Sequence, residues 1–155
     1  MKTLVLYKSK YGSTEMYAKW IAEALGADIS TMDYFKAGNL GGYSVVLIGS
    51  PTYMGKILAA DFLIKNWTLL EDKQVYLFTV GMIPWETQES NLSYQMIPQN
   101  IRDKIQFIKV PGRMDINRLN VFEKMITSLR KAESADLIDQ KYIQPVIDYV
   151  KGLNA

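Results

Sequence analysis

The chain has 155 residues, 48% hydrophobic and 22% charged, with a formal net charge of +2. That is the make-up of one compact domain with a sizeable core, and it argues against disorder. There is no cysteine and no histidine. Disulfides, thiolate metal sites and iron–sulfur ligation are therefore excluded, and the commonest acid–base catalyst at neutral pH is missing, which weakens a hydrolase reading but leaves cofactor-borne redox chemistry open.

The first apolar run, Thr3 to Tyr7, stops at Lys8 and Lys10, well short of the ~7–15 apolar residues of a secretory signal. No stretch approaches the ~18 apolar residues of a membrane span. A soluble, cytoplasmic protein is expected.

In chain order, residues 2–7 read as a buried strand. Residues 13–25 read as a helix with Met16, Trp20, Ile21, Ala24 and Leu25 on one face, ended by Gly26 in the usual post-helix position. Residues 28–32 form a short, weak strand. Residues 33–42 are too short and glycine-rich for a full helix, so a loop with a turn of helix is expected. Residues 43–49 are a strong strand, rich in β-branched residues. Residues 57–70 read as a second helix, and residues 74–80 as a strand. Residues 88–104 are expected to be helical in part, with a break at Pro98. Residues 105–110 read as a strand and 116–130 as an amphipathic helix with Leu119, Phe122, Met125, Ile126 and Leu129 on one side. Residues 142–153 form the last helix, with Pro145 in or near its first turn.

Short apolar runs alternating with amphipathic stretches predict an α/β domain: five strands in an open parallel sheet, helices on both faces. Such sheets bind ligands beyond the carboxyl ends of the strands, where the strand order reverses. The loops after the first, third and fourth strands are thus the candidates.

The first loop is Ser9-Lys10-Tyr11-Gly12-Ser13-Thr14, between a strand and a helix. A helix start offers unpaired N–H groups and the positive dipole end to an anion. Three hydroxyls add donors, Gly12 allows close approach and Lys10 adds charge. The pattern is neither Walker A nor Gly-x-Gly-x-x-Gly, so a terminal monophosphate is the better ligand than a nucleoside triphosphate or dinucleotide. On spacing alone, a hydroxyl-rich helix cap without a ligand is an equal alternative.

The stretch Val5-Leu6-Tyr7-x-Ser9-x-x-Gly12-x-Thr14-x-x-x-Ala18-x-x-Ile21 resembles the flavodoxin signature for the phosphate of flavin mononucleotide (FMN), with every defined position filled. The resemblance implies a flavodoxin-like three-layer α/β sandwich with parallel strand order 2-1-3-4-5. It implies that Ser9, Lys10, Tyr11, Gly12, Ser13 and Thr14 wrap the FMN phosphate. In the loop Gly49-Ser50-Pro51-Thr52-Tyr53-Met54-Gly55 it implies contacts to the isoalloxazine ring, with Tyr53 the stacking residue. In Thr79-Val80-Gly81-Met82 it implies backbone contacts to the pyrimidine side. Trp85 is a candidate cover for the second ring face, and equally a structural anchor.

Residues 99–131 carry eight Lys/Arg against three Asp/Glu. This is either a solvated helix face or a surface for an anionic partner or a membrane. Soluble flavodoxin carriers are usually strongly acidic. The chain is more similar to the flavodoxin-domain group that includes menaquinone-dependent protoporphyrinogen oxidase, through Val110-Pro111-Gly112-Arg113 leading into the basic helix. The expected function is an FMN-dependent redox protein. It would be either a shuttle between partner proteins or an oxidoreductase passing electrons from a small substrate to a quinone. A flavin-free interaction domain of the same fold is the alternative. No residue pattern points to nucleic acid.

Overall fold

The computed structural model describes residues 1–82, 88–114, 120, 123–124 and 135–155. Its centre is a parallel sheet built from β1 (Thr3–Tyr7), β2 (Asp28–Thr31), β3 (Val45–Tyr53), β5 (Gln74–Gly81) and β6 (Gln106–Pro111), in spatial order β2-β1-β3-β5-β6. Counting parallel strands alone, this is the expected 2-1-3-4-5. A sixth short strand, β4 (Lys56–Ile57), pairs antiparallel with the end of β3, and β7 (Arg113–Met114) with β8 (Ala135–Asp136) makes a separate two-stranded ribbon.

The continuous apolar runs of β1, β3 and β5 follow from burial on both faces. Alternate residues serve opposite cores. Val5, Val45, Leu47, Phe78 and Val110 pack beneath α1 (Ser13–Leu25) and the C-terminal helix (Gln144–Leu153). Leu4, Leu6, Val46, Ile48, Val75 and Leu77 pack with Leu63 of α2 (Ala60–Lys65), Leu70 of α3 (Trp67–Leu70) and Ile101 of α5 (Gln99–Arg102). Helix α4 (Gln88–Gln95) precedes α5, and Pro98 separates them as expected.

Several local expectations are corrected. The buried face of α1 is Thr14, Tyr17, Ala18, Ile21 and Ala22. Ala24 is exposed and Trp20 and Leu25 only partly buried. The small Ala18 and Ala22 let the helix lie close to the sheet, and the bulkier Met16 and Trp20 fall to its flank. The expected helix 57–70 begins only at Ala60 and breaks at Asn66, because residues 56–57 are drawn into β4. Strand β3 runs on to Tyr53 rather than ending at Gly49. The turn of helix within 33–42 is a 3₁₀ turn at Ala37–Gly42, and a second, Gln140–Ile143, leads into the C-terminal helix. Most of the expected helix 116–130 lies outside the described residues. Glu123 and Lys124 are helical, but Asn120 is not, so the helix does not run unbroken from 116.

Candidate functional site

The reversal point of the sheet falls between β1 and β3, whose neighbours β2 and β5 lie on opposite sides. Helix α1 begins there. Its N-cap is Gly12 at φ +94, a left-handed conformation that glycine adopts without a Cβ penalty, and no side chain caps the first turn. The front of the loop is open: a Cβ built on Gly12 would meet no atom within 4 Å.

The hydroxyls are held around this opening. Ser9 Oγ accepts from the Gly12 amide at 3.1 Å, and Ser13 Oγ accepts from the Arg113 amide at 3.2 Å. Each keeps its own O–H to donate. Thr14 is buried at 1% exposure. Uncapped amides, the helix dipole and these hydroxyls make an anion cradle of backbone and neutral donors.

The loop after β3 is a hairpin tip. Tyr53 pairs with Lys56, leaving Met54 and Gly55 as a two-residue turn with φ of +52 and +77. Two consecutive positive φ values match the twist of a tight hairpin. Glycine takes this geometry freely. Met54 is the single non-glycine at positive φ among the described residues, and it is held there by the strand pair on one side and by Ser93, whose hydroxyl donates to the Gly55 carbonyl at 2.8 Å, on the other. Ser50, fully buried, accepts from the Ala59 amide at 2.9 Å and anchors the hairpin's base. Pro51 is a strand residue opposite Val80.

The three predicted segments meet. Lys10 Nζ stands 4.4 Å from the Tyr53 ring centroid and 5.4 Å from that of Tyr11, both within cation–π reach. A Cβ on Gly81 would lie 3.5 Å from Thr52 Cβ, and one on Gly112 would lie 3.8 Å from Ser13 Cβ. Gly81 and Met82 are at the open end of β5. Thr79 and Val80 are one step inside it, paired with Ser50 and Pro51 of β3 and with side chains 1% and 4% exposed. Trp85 lies outside the described residues.

One functional element was not anticipated. Glu123, 4% exposed, presses its carboxylate against the first loop. The Tyr11 hydroxyl donates to its Oε1, and Lys10 Nζ is 3.9 Å from Oε2. The nearby Glu123 carboxylate, followed by burial, pushes the Tyr53 phenol up to about 12. The Tyr11 phenol is raised further still, by burial first and then by Glu123. Burial works against ionisation of Glu123, but the Tyr11 and Tyr53 phenols, the Asn120 amide and the Lys10 charge together outweigh it and hold the carboxyl below its ordinary range. The sequence does carry a signal for this residue. Asn120 and Glu123 form reciprocal bonds, Glu123 amide to Asn120 Oδ1 at 2.8 Å and Asn120 amide to Glu123 Oε1 at 3.1 Å. That is the Asn-x-x-Glu form of a capping box at a helix start.

Among the described residues no acidic cluster is placed to hold a metal ion, and no helix is long and apolar enough to cross a membrane.

The fold and the loop geometry define a flavodoxin-type α/β protein. The chain matches the flavodoxin domain family over residues 4–137 and belongs to that family. It is 30% identical over 107 residues to an uncharacterised protein of Methanocaldococcus jannaschii, covering 68% of this chain and 67% of that one. It is also similar to the oxidised flavodoxin 2 of Bacillus cereus, with TM-score 0.54, 21% identity, and 72% of this chain and 84% of that chain covered. The Trp repressor binding protein of Bacillus subtilis aligns with TM-score 0.57 and 13% identity over 87% of this chain and 100% of that one. At these identities the structural likenesses speak for the fold.

Proposed function

We propose that this chain is an FMN-binding redox protein. The observation that carries the reading is the anion cradle at the reversal point of the sheet: an uncapped helix start, a left-handed Gly12 with open space before it, and the hydroxyls of Ser9, Ser13 and Thr14. Sheets of this order bind ligands at that point, and flavodoxin-type sheets with FMN are the standing example of the rule.

The donor set fits the group. A phosphate monoester needs several short N–H and O–H donors and room for one terminal anion, which this loop offers. Tyr53 offers a flat face one loop away for an aromatic ring. Lys10 offsets the nearby Glu123 carboxylate, so the phosphate does not meet an unbalanced negative charge. Bound FMN would supply one- or two-electron redox chemistry. The chain's own part is to hold the phosphate with Ser9–Thr14, to orient the ring with Tyr53 and the Met54–Gly55 turn, and to border it with Gly81 and Met82. The reading stops short of a porphyrinogen substrate, on which neither the family match nor the flavodoxin likenesses bear.

The test is direct. Purified protein, as isolated or after incubation with FMN, should show flavin absorption bands and release FMN on heating. Titration should show clear preference for FMN over riboflavin. Protein that stays colourless and does not bind added FMN would end this reading and leave a flavin-free interaction domain.

A further inference from the structure

We propose that Glu123 is a positioning residue of the flavin site, joining the phosphate loop to the ring loop by holding the Tyr11 hydroxyl and the Lys10 ammonium, which stands over the Tyr53 ring. The inference rests on the FMN reading above and adds to it the residue that sets the spacing between the two loops.

Tyr11 and Lys10 belong to the loop before α1, Tyr53 ends β3, and Glu123 enters from a helix start far along the chain. No hydrogen bond of the sheet joins the tips of the first two loops, since β1 ends at Tyr7 opposite Gly49. Beyond that register the tips meet through side chains: Lys10 stands over the Tyr53 ring at 4.4 Å, and the Glu123 carboxylate holds both Lys10 and Tyr11. A carboxylate has two oxygens and several acceptor directions, so a single Glu can serve a phenol, an ammonium and a backbone amide together. A buried charge persists only when so paired.

The position of Glu123 is itself determined locally. Its reciprocal bonds with Asn120 fix the carboxylate before any contact with the loops. The hub is therefore a preset strut. Its charge is balanced by Lys10, which leaves the hydroxyls and first-turn amides to take the phosphate.

Three variants separate this role from simple helix capping. Glu123→Ala removes the strut. Asn120→Ala removes the side-chain half of the cap but leaves the Glu123 carboxylate. Glu123→Gln keeps the shape and much of the acceptor capacity without the charge. In Glu123→Ala, affinity for FMN and for phosphate-free riboflavin should both fall about tenfold or more, because the ring loop loses its tie. Asn120→Ala should keep both affinities within about threefold. In Glu123→Gln, affinity should largely return, and the midpoint potential of the bound flavin should rise as a nearby negative charge is lost.

A second readout needs no flavin. NMR of isotope-labelled tyrosine, assigned with Tyr11→Phe and Tyr53→Phe, should show Tyr53 ionising near pH 12 in the parent protein. Both phenols should move back toward the ordinary value of about 10 in Glu123→Gln. If Glu123→Ala binds FMN and riboflavin as the parent does, or Tyr11 and Tyr53 ionise identically in Glu123→Gln, the proposal is overturned. If the parent protein binds no flavin, the FMN reading fails, and the tyrosine titration alone decides whether Glu123 ties the loops.

Discussion

Gly49 stands where β3 passes under the ring of Phe78, and replacing it by alanine is a sharp test of the core beneath the candidate site. A Cβ at Gly49 would fall 2.3 Å from Phe78 Cζ and 2.6 Å from Cε2, closer than real carbon contacts allow. Phe78 is fully buried among Val5, Leu47, Val80 and Val110, so its ring has no open space to enter. Neither can Gly49 retreat, because it is paired with Tyr7 on one side and Phe78 on the other and its carbonyl accepts from the Lys8 amide at 2.9 Å. Overpacking of a close-packed core costs about 1–3 kcal/mol, and a rigid aromatic neighbour places this site at the upper end. For a domain of this size about 3 kcal/mol corresponds to a fall in Tm of about 6–12 °C. Urea denaturation followed by circular dichroism would measure it, with an unchanged slope showing that the folded state is otherwise intact. Phe78→Leu alone should cost less than the ~3–5 kcal/mol of a full aromatic truncation. Combined with Gly49→Ala it should restore at least about 1 kcal/mol relative to the sum of the singles, since the leucine vacates the volume the methyl needs. A fully stable Gly49→Ala, or strict additivity in the double mutant, would show that the ring does not occupy that volume.

Other outcomes follow from the same structure. Ser9→Ala with Thr14→Ala should weaken FMN binding by about 1.5–3 kcal/mol per lost phosphate bond while sparing riboflavin, measured by flavin fluorescence; unchanged FMN affinity would put the phosphate elsewhere. Tyr53→Ala should keep FMN bound but shift its reduction potential in a redox titration, and an identical potential would remove Tyr53 from the ring contact. Tyr17, fully buried, donates to the Pro111 carbonyl at 2.6 Å and accepts from the Asp139 amide at 3.3 Å; Tyr17→Phe should cost about 1–3 kcal/mol in denaturant titration. Burial pushes the Tyr17 phenol up to about 12. Its stabilisation is therefore complete below about pH 10, where the unfolded phenol is also protonated, and is lost as pH rises through the folded value. Between pH 10 and 12 the parent should lose stability more steeply than Tyr17→Phe, by up to about 1.4 kcal/mol per pH unit, and parallel curves would contradict that assignment.

The strand–loop–helix unit at the start of the chain was legible because its parts are close in sequence. A strand, a hydroxyl-rich loop, a glycine and a helix span residues 3–25, and each is dictated by local sterics and hydrogen bonding. Strands β1, β3 and β5 were legible for a similar reason: burial on both faces leaves uninterrupted apolar runs that need no knowledge of neighbours. The buried face of α1 was misread because hydrophobic size was taken as the guide, whereas contact with the sheet selects the small Ala18 and Ala22 and the hydrogen-bonded Tyr17. The extension of β3 to Tyr53 and the hairpin at Met54–Gly55 depend on pairing with residues 56–57, and a reading by periodicity alone takes Ile57 as the start of a helix.

By itself, then, the amino-acid order determined the α/β pattern and the loop Ser9–Thr14, both set by interactions closed within a few residues. Only the tertiary structure decided that the Glu123 carboxylate meets Tyr11 and Lys10. That meeting joins residues more than a hundred positions apart. Its partners are chosen by how the sheet and helices pack, not by any preference of the chain around them.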